Sequence, residues 1–246
     1  MTFKKTLLLA ATTAATAFGA ALAGFEECGT LEATEEFMAA ARKMQVSESF
    51  ASQAVSNQRL ASNIIVPTYY HVVHTSNDEK GGYLTEADLK ANLADLNQDY
   101  VNMGFQFEFK GVDYNTSSTW AAGDEMASMR STLRKGDYRS LNLFFIPVMK
   151  DNGLCTLPTA NEDWKRSDGC VVRTDVRTNG QTTTHEVGHW LGLLHTFQAP
   201  NDTITCDATN DMVDDTPALI NKWSCNANDD TCPGLPGKDP VNNYMS

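Results

Sequence analysis

The sequence predicts an α/β domain of the α+β kind: a mixed twisted sheet with two long helices packed on it. Three observations lead there. Apolar runs of strand character alternate with helical periodicities in the order β-α-β-α-β-β-α. Of the 246 residues, 41% are hydrophobic, enough for a sizeable core and too many for a disordered chain. After Leu194 the regular pattern ends and Asp, Asn, Pro, Gly and Cys dominate, so a loop-rich subdomain is expected to follow the sheet.

Residues 1–23 read as a secretory signal peptide. Lys4 and Lys5 precede an apolar, small-residue stretch that runs to Phe18, and Ala21-Leu22-Ala23 is an A-x-A cleavage site. The protein is therefore expected to be extracellular, in a compartment where most of its six cysteines pair. Two sequons, at Asn115 and Asn201, would carry glycans in a eukaryotic host. Residues 24–61 are rich in Glu, Ala, Ser and Gln and read as a propeptide that leans on a domain rather than forming one. Within them Glu32 to Met44 is a helix candidate, with Phe37, Met38, Ala41 and Met44 on one face.

Residues 62–246 form the main domain. Ile64-Ile65-Val66 and then Tyr69 to Val73 are β-branched and aromatic, as in a buried strand. Thr85 and Asp88 form a capping box, after which Leu89, Leu93, Leu96, Tyr100 and Met103 recur on one helical face up to Gly104. Phe105, Phe107 and Phe109 alternate with polar residues, as in a half-buried strand. A second helix fits Asp124 to Lys135. Leu141 to Met149 is a continuous apolar strand whose Pro147 places its end near an edge. Cys170 to Asp175 is a short strand, and a helix runs from about Gln181 to Leu191. Cys155 and Cys170 bracket a short loop and are expected to pair, a closure worth about 3 kcal/mol.

Charge excludes some functions. Acids outnumber bases 31 to 19, for a net charge of −12, whereas a nucleic-acid-binding domain is usually basic. No apolar run beyond the signal reaches the length of a membrane span, so no membrane contact is expected after its removal. The protein is expected to be a monomer.

The stretch His185-Glu186-Val187-Gly188-His189-Trp190-Leu191-Gly192-Leu193-Leu194-His195 carries chemistry. His185 and His189 sit one helical turn apart on one face and can share a metal ion. Glu186 projects beside them, where it can take a proton from a water polarised by that ion. On a continuing helix His195 would point away. It becomes a third ligand only if the chain turns sharply, and Gly192 tolerates the left-handed conformation that such a turn needs. A two-histidine site completed by a distant Glu fails, because no Glu follows Glu186. His71 and His74 lie three apart on one strand, point to opposite faces and read as core residues.

At this motif the chain resembles the metzincin zinc endopeptidases, and Asn242-Asn243-Tyr244-Met245-Ser246 resembles their Met-turn. His195-Thr196-Phe197, Asp211 to Pro217 and Asp239 to Met245 are similar to the pappalysin family, especially its small secreted fungal metalloproteases. The resemblance covers Val66 to Ser246 and is strongest from Thr183 onward. It implies one catalytic Zn2+ on His185, His189 and His195, Glu186 as general base, Met245 beneath the metal, and protein or peptide substrates. It pairs Cys206 with Cys232, and Cys225 with a cysteine that relatives carry after the Met-turn. Relatives also carry a Tyr two residues after the methionine and a closing helix, so the C-terminal subdomain is expected to be incomplete, as in a truncated product. Cys28-Gly29 resembles a zymogen switch whose thiolate occupies the open zinc position; a Cys28–Cys225 disulfide is the alternative. Asp211, Asp214, Asp215 and Thr216 offer hard oxygen ligands that suit a structural Ca2+, against the plainer reading of a solvated acidic turn. The rival to a working protease is a secreted zinc-binding protein of the same fold without turnover.

Overall fold

The computed structural model describes residues 28–30, 33–51, 63–198, 205–206, 211–220 and 226–246, with backbone alone at 47–51 and 177–179. The signal peptide, the Asn201 sequon and Cys225 lie outside them. In chain order the elements are α1 (Glu35–Ala51), β1 (Ile64–His74), α2 (Glu86–Asp99), β2 (Phe105–Thr116), α3 (Ser118–Ala121), α4 (Met126–Leu133), β3 (Leu141–Ile146), β4 (Gly153–Cys155), α5 (Glu162–Lys165), β5 (Cys170–Arg173) and α6 (Gln181–Trp190).

The five strands form one mixed sheet in the order β2-β1-β3-β5-β4. All neighbours are parallel except β4, which runs antiparallel to β5 at one edge. Every residue of β3 is buried, because helices cover both faces of the sheet. Leu141, Leu143 and Phe145 face the core shared with Leu89 and Leu96 of α2, Tyr100 at its C-terminal cap and Val187 of α6. Phe144 and Ile146 point the other way, to Met129 of α4 and Ala121 of α3.

Most expected elements are present, with instructive differences. The Thr85–Asp88 capping box forms as read, and Leu89, Leu93, Leu96 and Tyr100 are buried. Met103 is exposed, because α2 ends before it. β3 stops at Ile146, just before Pro147, and is a central strand flanked by β1 and β5 rather than one ending near an edge. The expected helix 124–135 shortens to α4, entered through Glu125 at φ 52°. Helix α1 begins at Glu35 and buries Phe37 and Met38 against Leu194, while Met44 is exposed. The short elements α3, α5 and β4 have too few residues to show a period. Asn115 sits near the end of β2, paired with Val73 of β1.

Candidate metal centre

Helix α6 presents His185 and His189 on one face, their Nε2 atoms 3.1 Å apart. The helix then stops. The Leu193 amide donates to the Gly188 carbonyl, and Gly192 adopts φ +100°, a conformation nearly closed to residues with a Cβ. That turn returns His195 to the cluster, its Nε2 3.3 Å from that of His189. The imidazoles are also oriented from behind. Nδ1 of His185 meets the Tyr244 carbonyl, and Nδ1 of His189 lies 2.8 Å from the Leu193 carbonyl. A carbonyl only accepts, so each Nδ1 carries the hydrogen and each Nε2 turns a bare lone pair inward. The His195 ring stacks on Phe197.

Burial and the neighbouring imidazoles push His189 down to about 3; burial and His185 push His195 down to about 4. Both rings are thus neutral, the form that ligates metal. Lone pairs facing one another at such distances repel unless a cation lies between them. Cys28 supplies the fourth donor, its sulfur 3.4 Å from His189 Nε2. All four donor atoms lie within 4.8 Å of one another, and this is the one such cluster among the described residues. The donor set fits a tetrahedral ion with nitrogen and sulfur ligands.

Glu186 is fully buried beside the cluster. Its Oε2 accepts from the Thr30 hydroxyl at 3.1 Å, and its Oε1 has no partner. Burial pushes its carboxyl up to about 8, despite the hydrogen bonds from Thr30 and Cys28 that favour the charged form. Burial, with the nearby Glu186 charge second, likewise raises the Cys28 thiol to about 12. A thiolate there needs a cation for company.

Met245 lies buried beneath α6. A Cβ on Gly188 would stand 2.4 Å from its sulfur, so only glycine admits it there. The Met245 carbonyl accepts from the Thr196 amide at 2.9 Å, tying this turn to the residue after His195. Cys155–Cys170 joins β4 to β5, and Cys206–Cys232 staples the loop-rich segment.

Some site residues were not legible in the sequence. Thr30 bridges Glu186 to the sheet, donating to its Oε2 and accepting from the Cys155 amide at 2.9 Å. Gly153 has no Cβ because one would lie 2.6 Å from Glu186 Cγ and Oε1. Asp99 accepts from Thr184 of α6 and from Tyr244 of the Met-turn, fixing both to α2. A hydroxyl two residues from a cysteine or an acid at a helix end carries no pattern of its own. In the acidic loop, Asp211 accepts from the Val213 amide and is hydrogen-bonded to Thr216, and Asp214 accepts from Gln45 of α1. His71 and His74 stand apart from the cluster. His71 is buried against Asn142 and stacks on Phe144.

Comparison with known proteins now decides the family. The profile of the peptidase family described as pregnancy-associated plasma protein-A matches residues 168–246, the span from just before β5 to the Met-turn. An extracellular metalloprotease of Pyricularia oryzae is 39% identical over 89% of this chain and 80% of its own. Another, from Colletotrichum graminicola, is 37% identical over 100% of this chain and 89% of its own. The chain belongs to the pappalysin family of extracellular metalloproteases. Among solved structures, promirolysin of Tannerella forsythia shares the fold of this pappalysin. Its TM-score is 0.61 at 19% identity, covering 90% of this chain and 86% of that one. Mirolysin in complex with compound 9 gives 0.55 at 18% identity, over 76% and 84%.

Proposed function

We propose that this pappalysin is a zinc endopeptidase of extracellular proteins, made as a precursor that residues 24–61 keep latent. The observation that carries the reading is the meeting of three inward Nε2 atoms with a fully buried carboxylate whose Oε1 is free. His185, His189 and His195 would hold the ion. Zinc on three neutral imidazoles supplies Lewis acidity toward a carbonyl oxygen and toward water. Glu186 takes a proton from the attacking water and returns it to the leaving amine. Its raised pKa suits both halves of that task near neutral pH. Met245 and the Tyr244 carbonyl hold the floor and one imidazole in place. Nothing in the scheme needs a nucleophilic Ser or Cys.

Latency follows from the segment before α1. Cys28 pairs with Gly153 of β4, the Gly29 amide donates to the Gly153 carbonyl at 2.7 Å, and Thr30 engages Glu186. One short segment therefore takes the fourth donor position, the base and the sheet edge that an extended peptide would use. Replacing Glu186→Gln tests the reading. The variant keeps shape and should keep a full equivalent of metal, while casein hydrolysis falls by about a hundredfold or more. Undiminished hydrolysis would remove Glu186 from the mechanism.

A further inference from the structure

Beside β4 lies a recess of about 200 Å³ that the hydrolytic scheme does not use. Leu154, Leu157, Pro158 and Trp164 give it apolar walls, and Phe37 of α1 closes it from outside. Arg130 of α4 is the one charged residue among the described lining, which contains no Asp or Glu. Its Nε and Nη1 are buried and have no hydrogen-bond partner. Asp168 is the opposite charge that acts on it, but that carboxylate is already engaged. Its Oδ1 accepts from the Thr156 hydroxyl at 2.8 Å, and its Oδ2 from Trp190 Nε1 at 3.0 Å and Arg134 at 3.5 Å. Lys165 nearby is paired with Glu162. One buried carboxylate thus faces two guanidinium groups, and a positive charge is left over. A buried, unpaired guanidinium is costly, and an arriving anion would recover that cost.

Position supplies the occupant. The recess adjoins the β4 edge, and Gly29, Thr34 and Phe37 of the covering segment form its outer side. Once that segment leaves, the recess would open beside the edge on which an extended peptide would pair with β4. We infer that the recess is a substrate subsite for glutamate: the apolar walls take its two methylenes and Arg130 takes its carboxylate. The inference rests on the protease reading above.

The test uses the activated protein and a positional peptide library in which Glu and Gln are exchanged at each site around the scissile bond. Glu and Gln match in shape, so only the charge is read. Wild type should cleave the Glu member faster by about tenfold at one position. That preference should vanish in Arg130→Met and return in part in Arg130→Lys, with cleavage of a Leu-containing peptide unchanged. Equal rates on Glu and Gln at every position, in wild type alone, would overturn the subsite and leave the protease standing. Failure to cleave any peptide with metal bound would overturn the protease reading, and the subsite with it. The wild-type comparison needs no variant to fold.

Discussion

Glu186 ties pH to stability as well as to chemistry. Burial holds its carboxyl near 8 in the folded protein, against an ordinary 4.5. Between these values the folded, metal-free chain keeps a proton that the unfolded chain releases. The stabilisation is complete below about 4.5 and is lost as pH rises through about 8. His189 and His195 act in the opposite window. Their pKa values fall to about 3 and 4, so the unfolded chain takes up protons below 6.5 that the folded one refuses, and stability falls as pH falls. With metal removed by a chelator, Glu186→Gln should melt with wild type at about pH 4 and above it at about pH 8. Parallel melting curves at both pH values would show that the carboxylate is solvated. Removing a ligand has a separate signature. His195→Ala leaves two protein imidazoles, too few for a tight zinc site, and the metal measured by atomic absorption should drop sharply. A retained full equivalent would assign the third position to another residue.

At the scale of elements, β4 and α6 form the cleft between them. β4 is three residues long, yet it carries the disulfide to β5, an edge of the sheet and the glycine that makes room for Glu186. Gly153→Ala would put a methyl group 2.6 Å from Glu186 Cγ, well inside contact distance, and the carboxylate must move. Hydrolysis should then fall by about tenfold or more while metal content stays whole, since the three atoms nearest the added methyl group all belong to Glu186 and none to an imidazole. Wild-type hydrolysis in this variant would mean that Glu186 has slack, contrary to its burial. Helix α6 is fixed at both ends of its turn, through Gly192 toward His195 and through Gly188 over Met245.

In the whole molecule, the segment before the sheet and the catalytic cleft act as one unit. Phe37 and Met38 of α1 pack on Leu194, next to His195, and so anchor the strand-like residues 28–30 over the histidine cluster. If Cys28 ligates zinc in the full precursor, X-ray absorption should find one sulfur at about 2.3 Å. A precursor carrying Cys28→Ala should hydrolyse casein without processing. A first shell of nitrogen and oxygen alone, with latency intact, would reduce the segment to simple occlusion.

The sequence by itself determined the elements with enough residues to show a period. The 89, 93 and 96 stripe of α2 with Tyr100 at its cap, the alternating Phe105 and Phe107, and the His185–His195 motif depend on local spacing, and local spacing fixes which face a side chain occupies. By resemblance it also offered Cys28 as a donor for the open metal position, with a Cys28–Cys225 disulfide as the alternative. Tertiary structure decided the rest. Pro147 reads as an edge signal, but β3 ends one residue earlier and is the most buried strand of the sheet. Gly153, Thr30 and Asp99 gain their roles from residues 33, 156 and 85 positions away, through contacts that no periodicity encodes. The acidic run from Asp211 to Asp215 offers its oxygens close together in sequence, but the partners of those oxygens, the Val213 amide for Asp211 and Gln45 of α1 for Asp214, come from the folded arrangement of the loop, which spacing along the chain does not encode.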